Sequence, residues 1–323
     1  MRFLRKLAGS FWARGLVSVG LLALIATQVD FSRGVHRLAD GRWEWFALAT
    51  VVIIATSAIA SFRWHLYLEA CDVDHRGWRQ ALRAYFVGTF TSNFLPSQVG
   101  GDVARALIVG KRGTRIRAFT TVVIDRVTGL ACLIVVTWVF VAANPGDIPR
   151  SLLVTLVVVS SVFAMFVVVV LGIIRFRDSI RRRLPERLRS FAGETLSALR
   201  SSIKSEVLLK TLSIGILFQA LGVLAAWLIG RSIDLPVPAS TLVTSLPLVL
   251  VLSFLPFSIG GLGIREGGYV VLLGQAGVSA TEATVFSLLN GLAVALASLP
   301  GLLVLLRGGS SGVRETAPTP LSD

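Results

Sequence analysis

Nine stretches free of charged residues recur along this chain, covering residues 15–29, 45–62, 84–101, 127–146, 151–174, 211–230, 235–264, 267–281 and 283–306. A helix needs about 20 mostly apolar residues to cross the hydrocarbon core of a bilayer. No polar tract long enough for a soluble domain lies between them. The composition agrees, with 54% hydrophobic and 15% charged residues and a mean hydropathy of +0.76, far more apolar than a soluble domain. The expected fold class is an all-α integral membrane protein, with one transmembrane domain over residues 1–307 and a disordered tail over 308–323.

By length, the stretches near 15–29, 45–62, 127–146, 151–174, 211–230 and 283–306 read as six spanning helices. The first is short, and Phe11 and Trp12 extend it. Its basic lead-in of Arg2, Arg5, Lys6 and Arg14 resembles a secretory signal, but no small-residue cleavage site follows.

Two stretches do not read as plain spans. Residues 84–101 mix Thr89, Thr91, Ser92, Asn93, Pro96, Gln98, Gly100 and Gly101 among apolar side chains, and 235–264 contains Pro236, Pro238, Pro247, Pro256, Gly260, Gly261 and Gly263. Proline removes a helix hydrogen bond, so both are expected to break and fold back as re-entrant hairpins. Aligned without gaps, 94–105 and 254–265 both read F-L-P-x-x-[V/I]-G-G-x-x-x-R, which implies a twofold internal repeat at an offset of 160.

Loop charge tests this layout. Of the Lys and Arg residues, 25 fall in 1–14, 63–83, 102–117, 175–210 and 307–323, and 6 in 30–44, 147–150, 231–234 and 265–282. The two sets alternate as six crossings require, and basic loops stay on the cytoplasmic side. The expectation is a multi-pass protein of the cell (inner or plasma) membrane with both termini in the cytoplasm. The hairpins would then enter from opposite faces, as in inverted-repeat transporters. The loop 175–210 sets Leu188, Ala192, Leu199 and Ile203 near one helical face, which fits an amphipathic helix lying on anionic lipid.

The net charge of +14 would suggest nucleic acid in a soluble protein; here the topology accounts for it and no nucleic acid is expected. Cys71 and Cys132 form no disulfide framework, and His36, His65 and His75 lack ligand spacing, so no metal or cofactor is expected. No nucleophile motif, phosphate loop or dinucleotide fingerprint appears, and the chain is not expected to be an enzyme.

Candidate binding residues cluster at the breaks. Asp102 could cap the helix that follows Gly101, with Arg105 one turn further on, and an arginine fork suits phosphate. Arg265 holds the matching place in the second copy, followed by Glu266, while Leu262 replaces Asp102. Asp125 and Arg126 lie within an apolar stretch, where charged residues are functional by default. Neighbours on a helix do not face each other, so each needs a partner elsewhere, and a re-entrant arginine is the expected partner of Asp125. Asn93, with Ser92 and Gln98, can satisfy freed backbone groups or a head group. Pro96, Gly100, Gly101, Pro256, Gly260 and Gly261 are the expected structural breaks.

The run Asn93-Phe94-Leu95-Pro96 with Gly100-Gly101-Asp102 and Arg105, then Asp125-Arg126, then Gly260-Gly261-Leu262-Gly263-Ile264-Arg265-Glu266-Gly267 resembles the lysylphosphatidylglycerol synthase transmembrane family, also called flippase-like or UPF0104. The resemblance spans about residues 10–307. It implies motif positions at Pro96, Gly101, Asp102, Arg105, Arg126, Gly261, Arg265 and Glu266, with Asp125 where many members carry Glu. In full-length synthases a transmembrane region moves the aminoacylated lipid and a cytosolic domain makes it. Seventeen residues follow Leu306, so lipid translocation, and not amino-acid transfer, is what the resemblance implies. The expected partners are anionic membrane lipids. An alternative is a non-catalytic membrane partner of a glycosyltransferase or lipid-modifying enzyme.

Overall fold

The computed structural model describes residues 19–21, 23–94, 98–111, 113–144, 148–176, 185–236, 239–253 and 263–308. Every regular element among them is an α-helix: α1 (Phe31–Ala39), α2 (Trp43–Ala70), α3 (Trp78–Phe94), α4 (Gln98–Val109), α5 (Arg115–Ala143), α6 (Arg150–Arg175), α7 (Glu186–Ser202), α8 (Ser205–Ser232), α9 (Ala239–Ser253), α10 (Ile264–Gly274) and α11 (Ala280–Gly308). Helices are what a bilayer demands, because they satisfy their own backbone hydrogen bonds. Buried hydroxyls follow the same rule. Thr56 and Ser57 both donate to the Ile53 carbonyl, and Thr128 donates to Ile124.

Five helices, α2, α5, α6, α8 and α11, are long and apolar enough to span. Residues 11–18 and 22 of the expected first span lie outside the described residues, while 19–21 and 23–26 are helical. The 309–323 part of the tail and Pro96, Pro256, Gly260 and Gly261 of the expected breaks also lie outside them. The helices outrun the uncharged stretches that announced them. α2 continues past Phe62 to Ala70, and α5 starts at Arg115, twelve residues before the stretch that begins at Val127. Charge ended the sequence windows, but buried pairing keeps those charges inside the helices.

Both broken stretches are pairs of packed helices. α3 lies against α4, antiparallel, because Gly88 meets Gly101 and Arg105 while Gln80 reaches the Ile108 carbonyl. α9 packs against α10. The second hairpin is therefore larger than 235–264 and takes in the next apolar stretch as far as Gly274. Gly100 and Gly101 are not the break itself, because α4 already starts at Gln98. Gly101 serves close packing instead: a Cβ there would run into the Gly88 carbonyl and the Ser92 hydroxyl.

The element order repeats. A long helix, a short one, a break, a short one and a long one occur as α2–α5 with 28, 17, 12 and 29 residues, then as α8–α11 with 28, 15, 11 and 29. The packing is reciprocal: α3 rests on α11 and α9 on α5, while α2 also meets α11 and α8 meets α5. The leading helices α2 and α8 pack against each other and run antiparallel, since the Arg42 N–H donates to the Ser232 carbonyl at one end and Arg63 stands over the Phe218 ring further along. Antiparallel leading helices make the repeat an inverted one.

α6 and α7 belong to neither unit. α6 buries only Leu152 and Leu156 and turns an apolar side outward. α7 differs from the lipid-lying helix that the sequence suggests. It buries Leu196, Ala198 and Ser202 against the first unit, where Cys71 contacts Ala198 and Ser202, and leaves Ile203 exposed.

Candidate functional site

α5 carries Asp125 deep among apolar residues, and the structure surrounds it with two guanidiniums. Arg63 of α2 donates through Nε to Asp125 Oδ1 at 2.8 Å and through Nη2 to the Asp125 carbonyl at 3.1 Å. Arg105 of α4 donates through Nη1 to Oδ2 at 3.3 Å. Asp125 thus meets a hairpin arginine, as its place in the sequence suggests, and a second one besides.

Arg63 was hidden in the sequence because it ends an uncharged run and so counts as a loop cation. The available signal was Trp64, Tyr67 and Leu68, which continue the apolar side of the helix past it; all three are buried. Its guanidinium has room because two neighbours lack side chains: a Cβ on Gly129 would stand 3.3 Å from Nη2 and one on Gly215 3.1 Å from Nη1. Arg63 also lies over the Phe218 ring at 5.4 Å, so it touches both units.

Arg105 is held on every side. Its Nε lies 3.2 Å from Asp102 Oδ1, and its guanidinium carbon sits 5.0 Å from the Trp64 ring and 4.9 Å from the Tyr85 ring. Each stacking adds about 0.5–2 kcal/mol when desolvated. The Asp102–Arg105 pair spans one helical turn, as their spacing suggests. Asp102 does not cap the helix, however. α4 begins four residues earlier at Gln98, which puts Asp102 in the second turn with its carboxylate committed to side chains. Its second oxygen pairs with Arg126. The first cluster is therefore a line of alternating charge, Arg63–Asp125–Arg105–Asp102–Arg126. The Arg63 and Arg105 side chains are 3% and 6% exposed, against 30% for Arg126.

The second cluster is smaller. Arg265, in the first turn of α10, donates through Nη2 to Glu266 Oε1 at 2.6 Å and through Nε to the same oxygen at 3.1 Å. Glu266 Oε2 accepts from the Gly263 N–H at 2.7 Å, and Gly263 can offer it because it holds φ +84°, open to a residue without a Cβ. Glu266 is 1% exposed and Arg265 29%. The Arg265 guanidinium lies on α11 at Gly291, where a Cβ would come within 2.5 Å of Nη2. Next to it, Asn290 donates to the Tyr269 hydroxyl at 3.3 Å.

The structure thus joins Asp102, Arg105, Asp125 and Arg126 with Arg63, and sets Arg265 and Glu266 together on the other unit. Asn93 stands apart from both, near the end of α3, where its amide donates to Ser298 of α11 at 3.0 Å. That bond ties one hairpin to the opposite unit. Among the described residues, no group of three or more His, Cys, Asp or Glu is placed to hold a metal ion. A planar guanidinium can donate two parallel hydrogen bonds to two oxygens of a carboxylate or of a tetrahedral phosphate group.

Comparison with known proteins is consistent with this architecture. The model of one family, described as the lysylphosphatidylglycerol synthase TM region, matches residues 11–315. A UPF0104 membrane protein of Methanothermobacter thermautotrophicus is 29% identical over 296 residues, a match that covers 82% of this chain and 86% of that protein.

Proposed function

Because the chain belongs to the lysylphosphatidylglycerol synthase transmembrane-region family, we propose that it moves an anionic lipid, a phospholipid or a polyprenyl-phosphate-linked lipid, from one leaflet of the cell membrane to the other. The observation that carries this reading is the inverted pair of helix–break–helix hairpins, each with charged residues on its second helix: Asp102 and Arg105 on α4, paired with Asp125 and Arg126 of the spanning α5, and Arg265 and Glu266 on α10. In transporters with inverted repeats, discontinuous helices form the site near the middle of the bilayer, and the two units tilt against each other to open it to alternate sides. Charge inside a membrane is costly and is kept where it serves a polar passenger. Here the head group would pass along the guanidiniums while its chains remain in lipid. No covalent step is involved, and both chain termini lie in the cytoplasm.

The test is leaflet exchange. Purified protein in liposomes that contain fluorescent phosphatidylglycerol or a fluorescent polyprenyl phosphate should bring the inner-leaflet probe within reach of an external quencher over minutes, while protein-free vesicles hold it. Lack of exchange for every anionic probe would refute translocation and favour a non-catalytic partner of a lipid-modifying enzyme, which binds through the basic face.

A further inference from the structure

The sequence repeat pairs Arg105 with Arg265, but the structure gives those two residues different surroundings. Arg105 is buried, stacked between two rings and bonded to two carboxylates. Arg265 is 29% exposed and bonded to one. The residue of the first unit that matches Arg265 in exposure is Arg126, at 30%.

Their positions match as well. α5 and α11 both have 29 residues, and Arg126 and Gly291 are each the twelfth. The Arg265 guanidinium occupies the room that Gly291 leaves, so each unit places one guanidinium at the same point on its last long helix. One is supplied by the helix itself and the other by the neighbouring hairpin. Each is tied to a buried acid, Asp102 or Glu266. The ninth residues, Val123 and Leu288, are both exposed apolar side chains one turn away, so both points border the side that faces lipid.

Depth decides what this exposure means. The twelfth residue lies about 16 Å from the start of its helix, at 1.5 Å per residue, well inside a hydrocarbon core ~30 Å thick. An arginine near a helix end can snorkel to water. A guanidinium about 30% exposed at this depth turns part of its edge toward the lipid side, where the phosphate of a lipid can meet it beside the acid that already holds it.

We infer that Arg126 and Arg265 are two anion seats, one per unit, each taking the phosphate of a lipid that enters from the bilayer beside Val123 or Leu288. Arg105 is a positioning residue that holds Asp102, which in turn holds Arg126. This inference rests on the translocation reading, and binding separates the two.

The full-length protein in detergent is melted while short-chain phosphatidylglycerol is titrated in, with phosphatidylcholine and inorganic phosphate as controls. Phosphatidylglycerol alone should raise the midpoint. Arg126→Gln and Arg265→Gln should each weaken its apparent affinity at least fivefold, with Arg265→Gln also lowering the lipid-free midpoint because Glu266 loses its partner. The double variant should lose the effect, and Arg265→Lys, which keeps the charge, should regain part of it. Arg105→Gln should lower the lipid-free midpoint. Wild-type affinity in both single variants would overturn the seats, and an equal shift with inorganic phosphate would overturn their assignment to a lipid. Arginine-dependent binding in a protein that exchanges no lipid would sink translocation and keep the seats. Exchange that survives both substitutions would do the reverse.

Discussion

The two four-helix units share a plan and differ in charge. In the first, the eleventh and twelfth residues of the last helix are Asp125 and Arg126; in the second they are Asn290 and Gly291. The first unit therefore closes a line of five charges across three helices, while the second has at the matching place an arginine–glutamate pair with a neutral amide beside it. An inverted repeat can keep its geometry while its halves divide the work. The first unit uses most of its charge to lock α2, α4 and α5 together, and the second keeps a guanidinium held by one carboxylate oxygen.

The largest effect should come from Asp125→Ala. It leaves Arg63 and Arg105 buried without their shared acid, which costs about 3–5 kcal/mol when a buried pair is broken. The counterpart Asn290→Ala removes one hydrogen bond to Tyr269 and should cost about 1 kcal/mol. Melting of the two variants in detergent checks the contrast, and equal losses would break it.

Glycine substitutions separate packing from ligand binding. Gly101→Ala drives a methyl into the Gly88 carbonyl, and α3 and α4 must part at a cost of about 1–3 kcal/mol. At Gly291 the obstacle is the end of a flexible arginine, so Gly291→Ala should change the melting midpoint less while it displaces Arg265 and weakens anionic-lipid binding.

Glu266→Gln sharpens the comparison from the other side. It removes the charge that holds Arg265 but retains an acceptor for the Gly263 N–H. Stability should fall by about 1 kcal/mol, and affinity for anionic lipid should rise, as titration would show.

The smallest effect concerns Cys71, where α7 covers the first unit. Burial pushes this thiol above its ordinary range, despite a hydrogen bond with Ser202. Maleimide should label it slowly at neutral pH. Leu196→Ala, which loosens α7 without burying a charge, should speed the labelling and lower the lipid-free midpoint less than Asp125→Ala does.

Much of the fold was legible in the sequence, because bilayers reward long uncharged runs and the proline and glycine clusters set the two hairpins apart from plain spans. A lone proline is a weaker signal, since Pro247 and Pro300 lie inside α9 and α11. Asp125 and Arg126 stood out for the same reason, as charges in the wrong solvent. Arg63 did not, because a rule that ends a span at the first charge reads a buried, paired arginine as loop. Asp102 looked like a cap because glycines precede it, yet close packing of Gly101 on Gly88 lets the helix begin sooner. The pairing of Arg126 with Arg265 could not be read by aligning residues. It depends on one unit filling with its own side chain the space that the other leaves for a neighbour's.

The central claim is that the two units move against each other to pass an anionic head group, and a reversible tether between them tests it most directly. Asn93 and Ser298 touch across α3 and α11, so Asn93→Cys with Ser298→Cys, in a chain whose Cys71 and Cys132 are serine, should form a disulfide on oxidation. Exchange of fluorescent phosphatidylglycerol in proteoliposomes should stop when the pair is oxidised and resume on reduction. Exchange at the same rate with the tether closed would contradict it.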